Sequence, residues 1–317
     1  MTLDPDPSVI GGIARAAFAL PPDPGRLFAR RAERFAFLAG SGALAPYLSF
    51  LAGLSRVQDG LAQDLTPPDP VPEAQLARAR AGRMPPIDRR AMAGAPAMAA
   101  ALDRLLTEAG TLDMPEPARL ALDAVQAADA ETRTWLLGNV LSDAISDDMA
   151  APHLFVAAAT QVVMAQAAAG LDAERLVAVA VGACPACGGR PVTSSVVEMQ
   201  GMEGVRYATC ACCATEWNEV RVKCLCCGST KGVGYRGLEG AEAGDPAPAG
   251  GLRALAAEAT VKAEVCDECH SWVKILYRNR NPSMDPVADD VASLGLDLRM
   301  RETEWRRGGA NPWLVGY

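Results

Sequence analysis

The chain has 317 residues, enough for two domains, and half of them are hydrophobic while only 5% are aromatic. Its net charge is −8 and its pI about 5.0, so it is repelled by nucleic acid and by anionic lipid, which argues against a basic-patch binder. The first eight residues carry Asp4 and Asp6 but no basic residue, unlike a secretory leader. The longest apolar stretch, 154–170, is interrupted by Gln161 and Gln166 and is too short and polar for insertion into a membrane. A cytoplasmic location is therefore expected, where cysteines stay reduced and metal or redox roles outrank a disulfide scaffold.

In chain order, a short amphipathic helix is expected over 7–20, with Ser8 as its cap, ending at Pro21 and Pro22. A second starts near Pro24, with Leu27, Phe28, Ala32, Phe35 and Leu38 as its apolar stripe. On its other side, Arg30, Arg31 and Arg34 read as a solvated face. A third runs from Tyr47 toward Leu65, followed by a proline-rich turn over 66–72. Further helices are expected over 73–83, 88–109, 116–128, 130–147 and 151–170, with Asp113 and Asp129 as caps at two of the starts. Together they predict an alanine-rich helical domain over 1–175 that depends on packing. His153, the only histidine in it, reads as a core or surface residue rather than a ligand.

Past Leu176 the helical period is lost. Strands are expected over 192–199, 205–209, 217–222, 232–236, 260–265 and 272–277, with a Gly/Ala/Pro-rich insertion over 237–257. Helix returns over 282–306. Asp289 and Asp290 read as acids complementing a helix dipole, and Trp313 is expected to dock against the body. The predicted fold class is α+β: helical domain, two small β units over 176–222 and 223–281, and a C-terminal helix and tail over 282–317.

All ten cysteines lie between Cys184 and Cys269. Eight form four C-x-x-C pairs: Cys184/Cys187, Cys210/Cys213, Cys224/Cys227 and Cys266/Cys269. Two such turns present four thiolates to one tetrahedral ion, zinc or iron. The loop between the first two pairs has 22 residues and that between the last two has 38, the insertion accounting for the excess. Sequential pairing therefore makes Cys184, Cys187, Cys210 and Cys213 one site and Cys224, Cys227, Cys266 and Cys269 the other; interleaved pairing is the alternative. Cys212 and Cys226 sit inside two of the pairs and read as non-ligands, and His270 as an exposed neighbour. Four protein ligands leave an ion no open position, so folding the β units outranks catalysis as its role. Two tetrathiolate sites would also lower the charge of the cysteine-bearing part further, against nucleic-acid binding.

The runs CPACG (184–188), RYATCACCATEW (206–217), RVKCLCC (221–227) and CDECHSWVKILY (266–277), in this order, resemble the formate dehydrogenase accessory protein FdhE family. PVADDVASLGLDLRM (286–300), NPWL (311–314) and LFARRAERF (27–35) fit the same family. The resemblance implies a cytoplasmic assembly factor, not an enzyme, that binds the formate dehydrogenase catalytic subunit before its export. It implies rubredoxin-like sites, associated with iron but open to zinc, on the eight paired cysteines. Cys212 and Cys226 stand where the family pattern does not require cysteine. A second copy of the chain is a further candidate partner. Two competing readings remain: a zinc-ribbon nucleic-acid binder using Arg206, Arg221, Lys223, Lys274, Arg278 and Arg280, and a thiol–disulfide oxidoreductase using one C-x-x-C.

Overall fold

Caps and prolines set the helix starts of the first half. The computed structural model describes residues 16–40, 42–199, 202–237 and 259–315. The helix expected over 7–20, with its cap Ser8, falls mostly outside these; its described end is a short strand, β1 (Ala19–Leu20). Asp23 caps α1 (Pro24–Leu38) by accepting the Gly25 N–H, and Pro24 opens the helix where a missing N–H costs nothing. α2 (Ala45–Asp64) and α3 (Glu73–Gly82) follow.

The single helix expected over 88–109 is two, α4 (Arg89–Met92) and α5 (Pro96–Ala109). Pro96 holds Ala95 extended (φ −70°, ψ 135°), which breaks the run. α6 (Glu116–Ala127) begins after Pro115, so Asp113 is not its cap. Asp129 does cap α7 (Ala130–Leu141), accepting the Thr132 N–H. That helix stops well short of 147, because Asp143 turns left-handed at φ 53°.

The apolar stretch over 154–170 becomes α8 (Ala150–Ala169), apolar on nearly every side and buried along most of its length. Such a helix is stable only when surrounded. Here α1, α2, α5, α6 and α7 all pack against it. No helix among the described residues is long and apolar enough to cross a membrane.

The strands lie where alternation placed them: β2 (Pro191–Met199), β3 (Met202–Cys210), β4 (Glu216–Glu219), β5 (Val233–Arg236), β6 (Val261–Cys266) and β7 (Ser271–Tyr277). β4 is shorter than expected. The insertion over 237–257 lies, apart from Gly237, outside the described residues. The helix expected over 282–306 is α9 (Ala288–Ala292), α10 (Leu294–Arg301) and a last short strand, β8 (Arg306–Arg307). Ser293 ends α9 by donating its hydroxyl to the Asp289 and Asp290 carbonyls.

All eight strands of the described residues join one sheet in the order β1-β4-β3-β2-β7-β6-β5, with β8 also on β7. The two cysteine-bearing hairpins, β3–β4 and β6–β7, meet through β2 and β7, which pair in parallel from Ser194–Ile275 to Val196–Tyr277. β7 is covered on both faces. Val273 joins the helical core, while Trp272 packs with Ala263, Val265, Leu296 and Met300.

Three acid–base clusters tie these layers together. Arg31 and Arg34, read as a solvated face, are buried. Arg34 binds Asp289 with two nitrogens at 2.6 and 2.9 Å, and Arg31 meets Asp285 at 3.3 Å. Asp289 and Asp290 do lie in the first turn of α9, as expected, but both are buried. The latter lies fully buried among Lys274, Arg307 and Asn311, and Asp297 completes the cluster. Burial pushes the Lys274 amine down to about 8, with Asp290 opposing. Across the sheet, buried Arg206 pairs with Glu264 at 2.7 Å and donates to the carbonyls of Val220, Arg221 and Lys223. Trp313 docks as expected, 2% exposed and tilted against Phe35.

Candidate metal centres

Each C-x-x-C pair forms a tight turn whose next residue is left-handed. Gly188, Ala214, Gly228 and His270 follow the second cysteine of the four pairs, at φ 74°, 59°, 78° and 49°. In three turns that residue's N–H donates to the carbonyl of the first cysteine, at 2.8, 3.2 and 3.0 Å. The first cysteine's own N–H donates five residues on: Cys184 to Gly189, Cys210 to Thr215, Cys224 to Ser229. The turn thus satisfies its backbone internally and leaves both sulfurs on one side. His270 holds such a backbone position, with its side chain exposed.

Sequence order sets which turns meet. One turn of each site lies in a loop, and the other joins two antiparallel strands, β3 to β4 and β6 to β7. Cys184, Cys187, Cys210 and Cys213 converge, as do Cys224, Cys227, Cys266 and Cys269, all four sulfurs of each group lying within 4.8 Å of one another. The grouping is sequential, not interleaved. The facing sulfurs are 3.6 and 3.5 Å apart in the first group, and both such pairs of the second are 3.7 Å apart. A disulfide needs about 2.05 Å. A tetrahedron with metal–sulfur bonds of about 2.3 Å has edges of about 3.8 Å. The donor set and spacing fit a tetrahedral thiolate-bound ion, whose charge would offset the cost of burying four sulfurs.

The thiols show that cost. Burial pushes Cys184 well up. Cys213 is held well below the usual thiol range: burial works against ionisation, but hydrogen bonds from Cys184, Cys187 and Cys210 outweigh it. A hydrogen bond with Cys226, then burial, pushes Cys224 up to about 12. Backbone N–H groups already aim at sulfur, Cys212 and Cys213 toward Cys210 at 3.4 Å each and Cys226 toward Cys224 at 3.3 Å. They stabilise thiolate.

The two groups differ in exposure. In the first, Cys187 is the most exposed cysteine, at 2%. In the second, Cys227 is exposed and Cys269 half-buried. The helical half accounts for the difference. Gln161 of α8 donates to the Ala211 carbonyl inside the second turn, and the Ile87 N–H to the Ala186 carbonyl inside the first. The third turn is held by close backbone approaches instead. A side-chain carbon at Gly182 would lie 2.2 Å from the Leu225 carbonyl oxygen, and one at Gly308 2.2 Å from Cys226 Sγ.

With this geometry stands a set of relatives. Models of the FdhE N-terminal, central and C-terminal domains match residues 16–181, 183–221 and 222–314. The chain is 55% identical over 315 residues to the "Protein FdhE homolog" of Rhizobium meliloti (strain 1021), covering 99% of this chain and 98% of that one. The chain belongs to the FdhE family. It is 31% identical to "Protein FdhE" of Escherichia coli (strain K12 / DH10B), over 91% of this chain and 88% of that one. Its fold matches the crystal structure of the FdhE protein from Pseudomonas aeruginosa with a TM-score of 0.80 at 31% identity, over 94% of this chain and 98% of that chain. The resemblance read from the cysteine-flanking motifs is thus borne out. The FdhE sheet runs across the division between the central and C-terminal models, since β2 and β7 pair across it.

Cys212 and Cys226 belong to neither four-sulfur group. Cys212 borders a cavity of about 240 Å³ between α8 and the C-terminal tail, and Cys226 lies against Gly308. Of the six basic residues named for a nucleic-acid face, Arg221 and Arg280 are exposed and the other four are buried or ion-paired. Arg206 and Lys274 are buried, Arg278 pairs with Glu216, and Lys223 pairs with Glu219. His153 is a core residue, buried between α7 and α8. Sequence reasoning missed Gly182, Gly308 and the Arg206–Glu264 pair. Each is defined by a residue distant in the chain, and no local pattern marks it.

Proposed function

We propose that this FdhE-family protein is an accessory factor for formate dehydrogenase maturation rather than an enzyme. On this reading it acts in the cytoplasm and binds the catalytic subunit of that enzyme. Family membership along the whole chain is the observation that carries the reading. Cys184, Cys187, Cys210 and Cys213 hold one ion, iron or zinc, and Cys224, Cys227, Cys266 and Cys269 the other. The ions supply rigid cross-links between loop and hairpin, and the partly exposed second site is the one suited to respond to redox conditions. Four thiolates fill a tetrahedral ion's coordination and leave no position for a substrate, which supports an assembly role.

The test is capture of the catalytic subunit by the purified protein, paired with formate dehydrogenase activity in a strain lacking the gene. Capture together with lost activity is expected. Full activity in the deletion strain with no capture under reducing or oxidising conditions overturns the reading. Metal analysis of protein purified without oxygen should give two equivalents. Metal-free protein with all eight cysteines rapidly alkylated would instead favour thiol–disulfide chemistry.

A further inference from the structure

The solvent-facing side of α1 is a stripe of Arg26, Arg30, Glu33 and Phe37, spaced four, three and four residues apart. It forms one wall of an open groove of about 660 Å³. The opposite walls are Leu20 to Pro22 at the end of β1, the turn at Ala214 that closes the first metal centre, and residues 283–286 ahead of α9.

The groove's arginines fall into two kinds. Arg34 and Arg278 are committed, to Asp289 and Glu216. Arg26 and Arg30 are exposed and have no acidic partner among the described residues. They stand one helical turn apart, about 6 Å along the axis. The lining also carries the acids Asp23 and Glu33, one to each side of the two arginines along α1, and neither is in an ion pair among the described residues. Further along the same stripe, Phe37 is 74% exposed, with its ring under the Arg34 guanidinium at 5.2 Å. An aromatic of that size left in water on the same helix face has the make-up of a recognition surface.

We propose that this groove docks an extended acidic segment of a client protein, its carboxylates on Arg26 and Arg30 and an apolar side chain against Phe37. Alternate residues of an extended chain lie about 6.6 Å apart on one side, close to the axial rise between the two arginine positions. Carboxylates two residues apart can therefore meet Arg26 and Arg30 together, as charge-assisted pairs. Ala214 lines the groove, so a docked segment lies against the turn of the first metal centre. The client's identity as the formate dehydrogenase catalytic subunit rests on the function proposed above; the acidic-segment specificity does not.

The test uses the metal-loaded full chain, its R26E/R30E and F37A variants, and two probes. One is a fluorescein-labelled peptide of alternating glutamate and leucine, with a lysine–leucine control. The other is the purified catalytic subunit. The wild type should bind the acidic peptide and not the lysine one, more weakly as salt rises. R26E/R30E should bind the acidic peptide about tenfold or more weakly and gain affinity for the lysine peptide. F37A should weaken binding without changing its salt dependence. Because the altered side chains are exposed, unchanged metal content and circular dichroism are expected and serve as the folding control. Equal affinity of wild type and R26E/R30E for the acidic peptide, or no binding by either, overturns the groove. If wild type and R26E/R30E capture the subunit equally, the groove is overturned while the accessory function stands. If neither captures it but the acidic peptide binds with arginine dependence, the function fails and the groove stands.

Discussion

Burial favours the neutral form of His153 inside the helical half, with the hydrogen bond to Met149 opposing. Its Nδ1–H donates to the Met149 carbonyl at 2.6 Å, and its Nε2 accepts from Asn139 at 3.3 Å. A second ring proton would face the Asn139 amide donor, and burial already holds the pKa below 6.5. The unfolded chain therefore takes up this proton at higher pH than the folded one does. Stability is full above 6.5 and falls as pH drops below it. The melting temperature should fall between pH 7 and pH 5, and His153→Gln should flatten that part of the profile. An unchanged slope in the variant would assign the acid sensitivity elsewhere, the thiolate sites being the alternative. Arg34 is the opposite kind of residue, charged and buried. Removing its partner through Asp289→Ala leaves a guanidinium unpaired in the interior and should cost about 3–5 kcal/mol in denaturant unfolding. Arg30→Ala, one residue from Arg31 but in water, should stay within about 0.5 kcal/mol. At this scale the sequence was least legible. A run of arginines on one helix does not say which of them faces an aspartate more than 250 residues away.

The cysteine turn is the element that sequence described best, because its requirements are local. Spacing alone named the eight cysteines that converge, and the turn's hydrogen bonds close within six residues. What spacing did not show is the left-handed residue after each pair, which two turns supply without glycine. Ala214 at φ 59° carries a strain that glycine lacks, so Ala214→Gly should stabilise the protein by about 0.5–1 kcal/mol. Gly182→Ala tests the reverse. It puts a methyl group at φ 67° against the Leu225 carbonyl and should destabilise the third turn by about 2 kcal/mol or more. Its loss of metal should be confined to Cys224, Cys227, Cys266 and Cys269, as mass spectrometry of alkylated cysteines would show. Helices were legible to a similar degree. Their apolar stripes and proline starts were visible, and Pro96 marked the break at Ala95, while breaks at Asp143 and Ser293 depended on backbone angles or hydrogen bonds that composition does not display.

Over the whole molecule, the two metal centres share one sheet but not one environment. The first is enclosed by the helical half, and the second opens to solvent at Cys227. A chelator added to the loaded protein should therefore remove metal in two phases, the faster one exposing Cys227 and Cys269 to alkylation first. A single phase with uniform alkylation would mean that both centres open together. The helical first half, the cysteine quartets and the family resemblance could be read from the residues in order, since periodicity, turn spacing and ordered motifs are properties of neighbouring residues. Long-range packing joined the two cysteine-bearing hairpins into a single sheet, made Arg31, Arg34, Arg206 and Lys274 interior cations, and buried one centre but not the other. Those outcomes depend on which distant groups are brought together when water is removed. The desolvation of a charge or a thiol is set by everything packed around it, not by its place in the chain.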